Sequence, residues 1–449
     1  VVPHVPDEVE SVWRTLGGDP ALLTRIAYRS AGDVLPARLP VRTAARACVA
    51  VCALAAAEYA GDGRTTAAVT VDDGAVATAF ASERHLRIDG RAPENFAPLS
   101  RMWRTADGWV RTHANYPWHR AALLSALGLR DERPQALEAA LAGRRAVEVE
   151  DAVYAAGGLA VALRTPKEWA AHEQGVEVAR RPLLTRERID DAPVRDHGDR
   201  PLRVLDLTRV IAGPVATRTL ALLGADVLRV DTPERPELSD QHADTGFGKR
   251  SALLALDRAA ERRTFEELLA TADVVVTGYR PGALDRFGLS PAALAERRPG
   301  LVVASLSAWG GYGPWAGRRG FDSLVQVATG IAAVEGTDER PGVLPAQALD
   351  HGTGYLLAAA VLRALTERRT VGGTWHVECA LARTAHWLCE LPSQAAPEGT
   401  YADGLHLAET ESALGRLRYA KSPIAYAGGP ADWRTAPGVW GADEALWDE

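Results

Sequence analysis

The sequence predicts an α/β protein built on a doubly wound parallel sheet. Three observations carry this reading. After residue 200, short β-branched runs alternate with helix-period segments. The runs are continuously apolar, as in strands covered on both faces. Each is bounded by turns rich in glycine, proline or aspartate.

The elements follow in order. Arg203–Thr208 is the first predicted strand and Pro214–Leu223 the helix after it. Val227–Asp231 is a second strand. Ala259–Ala270 is a helix with Phe265, Leu268 and Leu269 on its apolar stripe. Val274–Thr277 and Leu301–Ser307 are the third and fourth strands. In such a sheet the ligand belongs at the carboxyl ends of the strands. The polar stretch 190–200 reads as a linker, giving an N-terminal part, 1–189, and a second part, 201–449.

The first part is less regular. Val41–Tyr59 is a long Ala-rich helix, and Ala67–Val71 a strand candidate. The segment from Trp103 to Val110 reads as strand, Asp-Gly turn, strand. Helices are expected at about 118–128 and 133–142. Another, over 166–172, is opened by Thr165 and Pro166. A weak internal repeat sets residues 41–56 against 349–364 at an offset of 308 and pairs Val69 with Val377. Leu35-Pro36-Ala37 and Leu344-Pro345-Ala346 precede the two copies, one residue out of step. Asp350 of one copy then corresponds to Arg42 of the other.

Composition narrows the function. The chain has 449 residues, of which 47% are hydrophobic, enough for a substantial core. A net charge of −7 argues against a nucleic-acid partner. No stretch reads as a membrane span, and Asp7, Glu8 and Glu10 do not suit a secretory signal, so the cytoplasm is the expected compartment. Cys48, Cys52, Cys379 and Cys389 form no metal-binding pattern, and the first pair, spaced i, i+4, reads as buried small hydrophobes on a helix. No metal site is expected.

The chemistry-bearing candidates cluster at strand ends. Asp350 precedes an apolar helix and reads by itself as a helix N-cap. Gly352 and Gly354 follow in what should be the first turn, where glycine lets a ligand approach. Arg209–Pro214, Gly278-Tyr279-Arg280-Pro281-Gly282 with Arg286, and Ser307–Pro314 follow three of the strands. Arginines there can bind phosphates, and Tyr279 or Trp309 can stack on a base. There is no GxGxxG and no P-loop lysine. Together the loops describe a pocket for a large phosphorylated ligand.

Residues 202–231 (LRVLDLTRVIAGPVATRTLALLGADVLRVD), then GYRPGALDRFGLSP (278–291), SLSAWGGYGP (305–314), FDSLVQVATG (321–330) and LPAQALDHGTGYLLAAAVLRAL (344–365), resemble in order the family III CoA-transferases, the CaiB/BaiF group of carnitine and formyl-CoA transferases. The resemblance implies transfer of coenzyme A between an acyl-CoA and a small carboxylic acid, with Asp350 as nucleophile through an aspartyl anhydride and an aspartyl-CoA thioester. It implies CoA as a substrate, with no permanently bound cofactor. It places CoA contacts at Ile211, Ala212, Leu256, Arg258, Tyr279, Arg280, Arg286, Ser307, Trp309 and Gly310. Gly278 and Ser307 depart from relatives that carry Asn and Lys there. The segments 101–115, 119–129 and 164–175 resemble the family's small domain, out of order, which implies a second, smaller α/β domain supplied by the N-terminal part. A fused, trimmed duplication accounts for that order. The resemblance leaves two oligomeric states open: a homodimer like the family's interlocked dimers, or a single fused chain that mimics one. Without a glycine tract of the formyl-enzyme kind, formyl or oxalyl specificity is not implied. An acyl-CoA racemase or isomerase, or a non-catalytic acyl-CoA-binding protein, is the alternative. Phe321 stands where racemases carry a histidine, and His351 is the nearest substitute.

Overall fold

A computed structural model describes residues 5–61, 65–337, 339–393 and 399–448. Its centre is a seven-stranded sheet. In spatial order the strands are Lys249–Leu253, Asp226–Asp231, Arg203–Leu207, Val274–Thr277, Val302–Ser307, Trp375–Ala380 and Leu184–Arg188. The first six are parallel, and the last pairs antiparallel with Trp375–Ala380. Taken by chain position, the parallel strands run 3-2-1-4-5-6. The order therefore reverses between Arg203–Leu207 and Val274–Thr277, opening a crevice beyond their carboxyl ends.

Alternation along the strands decides which helix packs where. Val204, Val274, Val276 and Val302 face one layer, with the helices Ala212–Leu222 and Ala348–Val371. Leu205, Val275 and Val303 face the other, with Phe265, Leu268 and Leu269 of Ala259–Leu269 and Leu294 of Pro291–Arg297. Both faces are dry, which explains the unbroken apolar runs.

The N-terminal part does not stand apart. Its helix Val41–Ala60 packs along Ala348–Val371. This helix is long and apolar enough to cross a membrane, contrary to the expectation that no stretch is. It is instead buried nearly all round, with alanines that let the two axes approach. Strand Leu184–Arg188 forms the edge of the large sheet. The remaining strands form three small sheets. Ile26–Arg29 pairs parallel with Val69–Asp72. Met102–Arg104, Trp109–Thr112 and Ala160–Ala162 form an antiparallel set. Leu407–Ser412, Gly415–Ala420 and Arg87–Ile88 form the third. Thr165 and Glu168 close a capping box on the helix Pro166–Ala171.

The 308-residue offset extends further than the sequence suggested. It carries Val69–Asp72 into strand Trp375–Ala380 and the helix start Asp73 onto the helix start Leu381. Helix, strand and helix recur in phase. Cys379 is buried on a strand, and Cys389 is exposed. Cys48 and Cys52 are buried on Val41–Ala60 as expected.

Candidate active site

A cavity of about 730 Å³ occupies the crevice at the strand-order reversal. The loop after Arg203–Leu207 supplies Arg209 to Ala212, and the loop after Val274–Thr277 supplies Gly278 to Arg280. Leu256, Arg286 and Ser307 line it as well, and so does the buried carboxyl of Asp350. Three aromatic side chains of the N-terminal part, Tyr116, Trp118 and His119, close the opposite wall.

The loop at Val210 is held under strain. Val210 has φ +69°, a left-handed conformation that a β-branched residue seldom adopts. Buried Glu237 secures it: its carboxylate accepts from Val210 N at 3.2 Å, Arg229 at 2.9 Å and the Tyr116 hydroxyl at 2.5 Å. Burial alone would raise the pKa of Glu237, but Arg229, Arg209 and Tyr116 hold it down at about 2. One carboxylate thus fixes the first loop and ties it to the N-terminal wall.

The cavity carries excess positive charge. Arg235, Arg280, Arg286 and Arg319 line it and have no ion-pair partner among the described residues. Arg319 has its pKa lowered by burial and by the charges of Arg280 and Arg235, so these cations converge. By contrast, Asp231 on the same wall is paired with Arg229 at 2.6 Å. Trp118 lies under two guanidinium groups, with Arg235 at 5.0 Å and Arg209 at 5.8 Å from its ring centre. Unpaired arginines beside an aromatic face suit a phosphorylated nucleotide.

Asp350 is the third residue of the helix Ala348–Val371, so it is not the N-cap; Gln347 holds that place. It is 6% exposed. Its own N–H donates to Asp322 Oδ2 at 2.9 Å, so Asp322 serves the free N–H groups of the helix start. Burial first, then the carboxyls of Asp322 and Glu83, push the pKa of Asp350 well above the usual carboxylate range. Burial also raises Asp322, to about 6. Glu83 is paired with His351 Nε2 at 3.0 Å.

The glycines have a different purpose from the one expected. Gly352 and Gly354 lie beyond the first turn. A Cβ on Gly354 would stand 2.5 Å from the Ala212 carbonyl oxygen and 2.8 Å from Val215 Cβ. Gly354 therefore lets two helices meet rather than admitting a ligand. His351 is fully buried, lies against Phe80 and does not border the cavity, so it cannot replace the histidine absent at Phe321.

Of the residues singled out from the sequence, Asp350, Ile211, Ala212, Leu256, Tyr279, Arg280, Arg286 and Ser307 border the cavity. Arg258, Trp309 and Gly310 do not. Arg258 is exposed and paired with Glu261 and Glu234. Trp309 is buried against Trp169 and Trp315. The Gly310 N–H is taken by Ser307 Oγ at 3.0 Å, which leaves it unavailable to an oxyanion. Glu83 and Glu237 carried no signal in the sequence: Glu83 meets His351 and Glu237 meets Tyr116 only across long stretches of chain. Arg318-Arg319, directly before Gly320-Phe321, was a visible basic pair that could have been noticed. Among the described residues, no His, Cys, Asp and Glu cluster could hold a metal.

The position corresponding to Asp350 in the first copy is closed. Arg42 begins the helix Val41–Ala60 and lies 3.5 Å from Asp73, which also binds Arg46 at 2.5 Å. Asp73 corresponds to Leu381, a cavity residue in the second copy. An ion cluster fills the place that is open beside Asp350.

The doubly wound sheet thus carries, at its strand-order reversal, a crevice lined by arginines and by the buried carboxyl of Asp350. Residues 200–404 match the model of CoA-transferase family III. An acetyl-coenzyme A transferase of Hypoxylon pulicicidum is 36% identical over 42% of this chain and 33% of its own. A probable fatty acyl-CoA transferase of Mycobacterium tuberculosis is 36% identical over 40% of this chain and 49% of its own. The succinyl-CoA:glutarate CoA-transferase of Mus musculus is 31% identical over 40% and 44%. The chain thus spans a third to about half the length of these curated relatives. A crystal structure of a Mycobacterium tuberculosis protein shares 36% identity over 42% of this chain and 56% of that one, with a TM-score of 0.39.

Proposed function

We propose that this chain is an enzyme that transfers coenzyme A between an acyl-CoA thioester and a carboxylic acid, with Asp350 as the nucleophile. The observation that carries the reading is the position of Asp350: a buried carboxyl in the wall of a crevice of about 730 Å³ lined by unpaired arginines. The nucleotide occupies the arginine side, near Arg280, Arg286, Arg235 and Arg319. The thioester then reaches Asp350.

The carboxylate oxygen of Asp350 attacks the thioester carbonyl. The C–S bond breaks, leaving a mixed anhydride and CoA thiolate. The thiolate attacks the aspartyl carbonyl and expels the first acid as its carboxylate, leaving an aspartyl-CoA thioester. An acceptor carboxylate then runs the two steps in reverse. Thioester and anhydride exchange retains the energy of the acyl bond at each stage, which is the benefit of a nucleophile resembling the substrate. A raised pKa suits this role once Asp350 is ionised, because a more basic carboxylate is a better nucleophile. Closure of the crevice by Tyr116, Trp118 and His119 limits the water that would hydrolyse the anhydride.

The test is trapping. Incubation with acyl-CoA followed by hydroxylamine converts an aspartyl thioester to a hydroxamate, which peptide mass spectrometry locates. The mark is expected on Asp350 alone, and Asp350→Ala should lose all exchange while remaining folded. Near-normal turnover in that variant, or a mark on another residue, refutes the assignment.

A further inference from the structure

A second, smaller cavity adjoins the arginine crevice at Asp350. It encloses about 60 Å³, and Asp350, Ile211, Tyr116 and Phe321 border both spaces. Four buried polar atoms in residues of its wall have no hydrogen-bond partner among the described residues: Ser323 Oγ, His113 Nδ1, Glu83 Oε1 and Gln241 Nε2. Ser323 is 7% exposed, His113 4% and Glu83 5%. Buried polar atoms are ordinarily paired, and four orphans around one small space mark a place where something else supplies the partners.

The charge of the wall limits what that is. Glu83, Glu94, Asp240 and Asp322 border the cavity besides Asp350. Its single arginine, Arg84, is half exposed, donates to the Pro345 carbonyl and stands 4.0 Å from Glu83. His113 is stacked on Phe321 with ring centres 3.9 Å apart, and burial keeps it neutral. With Arg84 the one cation beside five carboxyl groups, and itself drawn to Glu83 and the Pro345 carbonyl, a second carboxylate on a ligand would face an excess of like charge. The volume sets the length. At about 10–15 Å³ for each water-sized position, the space holds roughly four or five non-hydrogen atoms.

We infer that this cavity receives the chain of the acid that exchanges CoA, and that the acid is short, uncharged beyond its carboxyl, and bears one hydroxyl or oxo oxygen. The inference rests on the transferase reading and names its substrate class. The carboxyl carbon meets Asp350 at the boundary between the two cavities. About three or four chain carbons enter the smaller one. The neutral oxygen accepts from the Gln241 amide and exchanges a hydrogen bond with the Ser323 hydroxyl. A long alkyl chain exceeds the space and would leave those groups unpaired against hydrocarbon.

Two measurements test this separately from the transferase reading. The first uses calorimetry on Asp350→Ala, where no turnover is needed. 3-Hydroxybutyryl-CoA should bind about tenfold more tightly than butyryl-CoA, as expected for one or two added hydrogen bonds. Ser323→Ala in the same background should bring that ratio several-fold towards one, whereas a general loss of structure would weaken both ligands alike. Equal binding of the two ligands, or a ratio unmoved by Ser323→Ala, overturns the inference. The second follows product acyl-CoA by mass spectrometry in the unaltered protein, with acetyl-CoA as donor. 3-Hydroxybutyrate should exceed butyrate in kcat/KM, with succinate and octanoate slower than either. Preference for succinate or octanoate also overturns it while leaving the transferase reading intact. Exchange with no acid, alongside the expected binding ratio, would sink the transferase reading and leave the cavity as a binding site for such acyl groups.

Discussion

Replacing Gly354 by alanine should loosen the junction on which the crevice depends. The new methyl would lie 2.5 Å from the Ala212 carbonyl oxygen and 2.8 Å from Val215 Cβ. Ordinary contacts of those kinds are about 3.3 and 3.8 Å, so the helices Ala212–Leu222 and Ala348–Val371 must part by roughly 1 Å. Overpacking of that size costs about 1–3 kcal/mol, offset by about 0.5–1 kcal/mol from replacing glycine inside a helix. The expected net loss is about 1–2 kcal/mol, read from urea unfolding. Ala212 borders the crevice, so CoA affinity should fall as well. Gly352→Ala is the internal control. Its Cβ would meet Cys48 Sγ at 3.5 Å, an ordinary contact, so the variant should be neutral or more stable by up to about 1 kcal/mol. Equal behaviour of the two variants would refute the claim that Gly354 is required by helix contact.

The crevice arginines should report on the nucleotide. Arg280→Ala or Arg286→Ala should each weaken CoA binding by about ten- to a hundredfold, the worth of a charge-assisted hydrogen bond to phosphate. Calorimetry with CoA and dephospho-CoA identifies the arginine that meets the 3′-phosphate, and unchanged affinity in both variants rejects the placement. Exchange should speed up with rising pH through a value above the ordinary carboxylate range, since the reactive form of Asp350 is the ionised one. Asp322→Asn should move that limb to lower pH by removing a neighbouring negative charge; an unmoved limb assigns it to another group. The same shifts govern stability. Asp322 is raised to about 6 when folded against about 3.9 unfolded, so its contribution is full below about pH 4 and is lost as pH rises through about 6. Urea midpoints measured from pH 4 to 7 should show this fall, and Asp322→Asn should flatten it. Arg42→Ala should leave the exchange rate largely unchanged, because the Arg42–Asp73 cluster lies outside the crevice. A large loss of rate without loss of stability would contradict that.

The sequence by itself determined four of the seven strands of the large sheet, Arg203–Leu207, Asp226–Asp231, Val274–Thr277 and Val302–Ser307, with their parallel character and the loops after them. Unbroken runs such as Val274–Thr277 can only be strands covered on both faces, and the chemistry of a turn is written in local residues. It also pointed to Asp350, through the order of segments from 202 to 365. Only the tertiary structure decided what surrounds that carboxyl. Glu83 is 267 residues from Asp350 in the chain, and Tyr116 is 121 residues from Glu237, whose carboxylate it meets. No period or spacing can announce such encounters. The same limit explains the misread glycines. A glycine that admits a ligand and one that admits a neighbouring helix look alike in sequence, because both express only the absence of a side chain. Which body fills the gap is fixed by packing, and at Gly354 it is the backbone of Ala212.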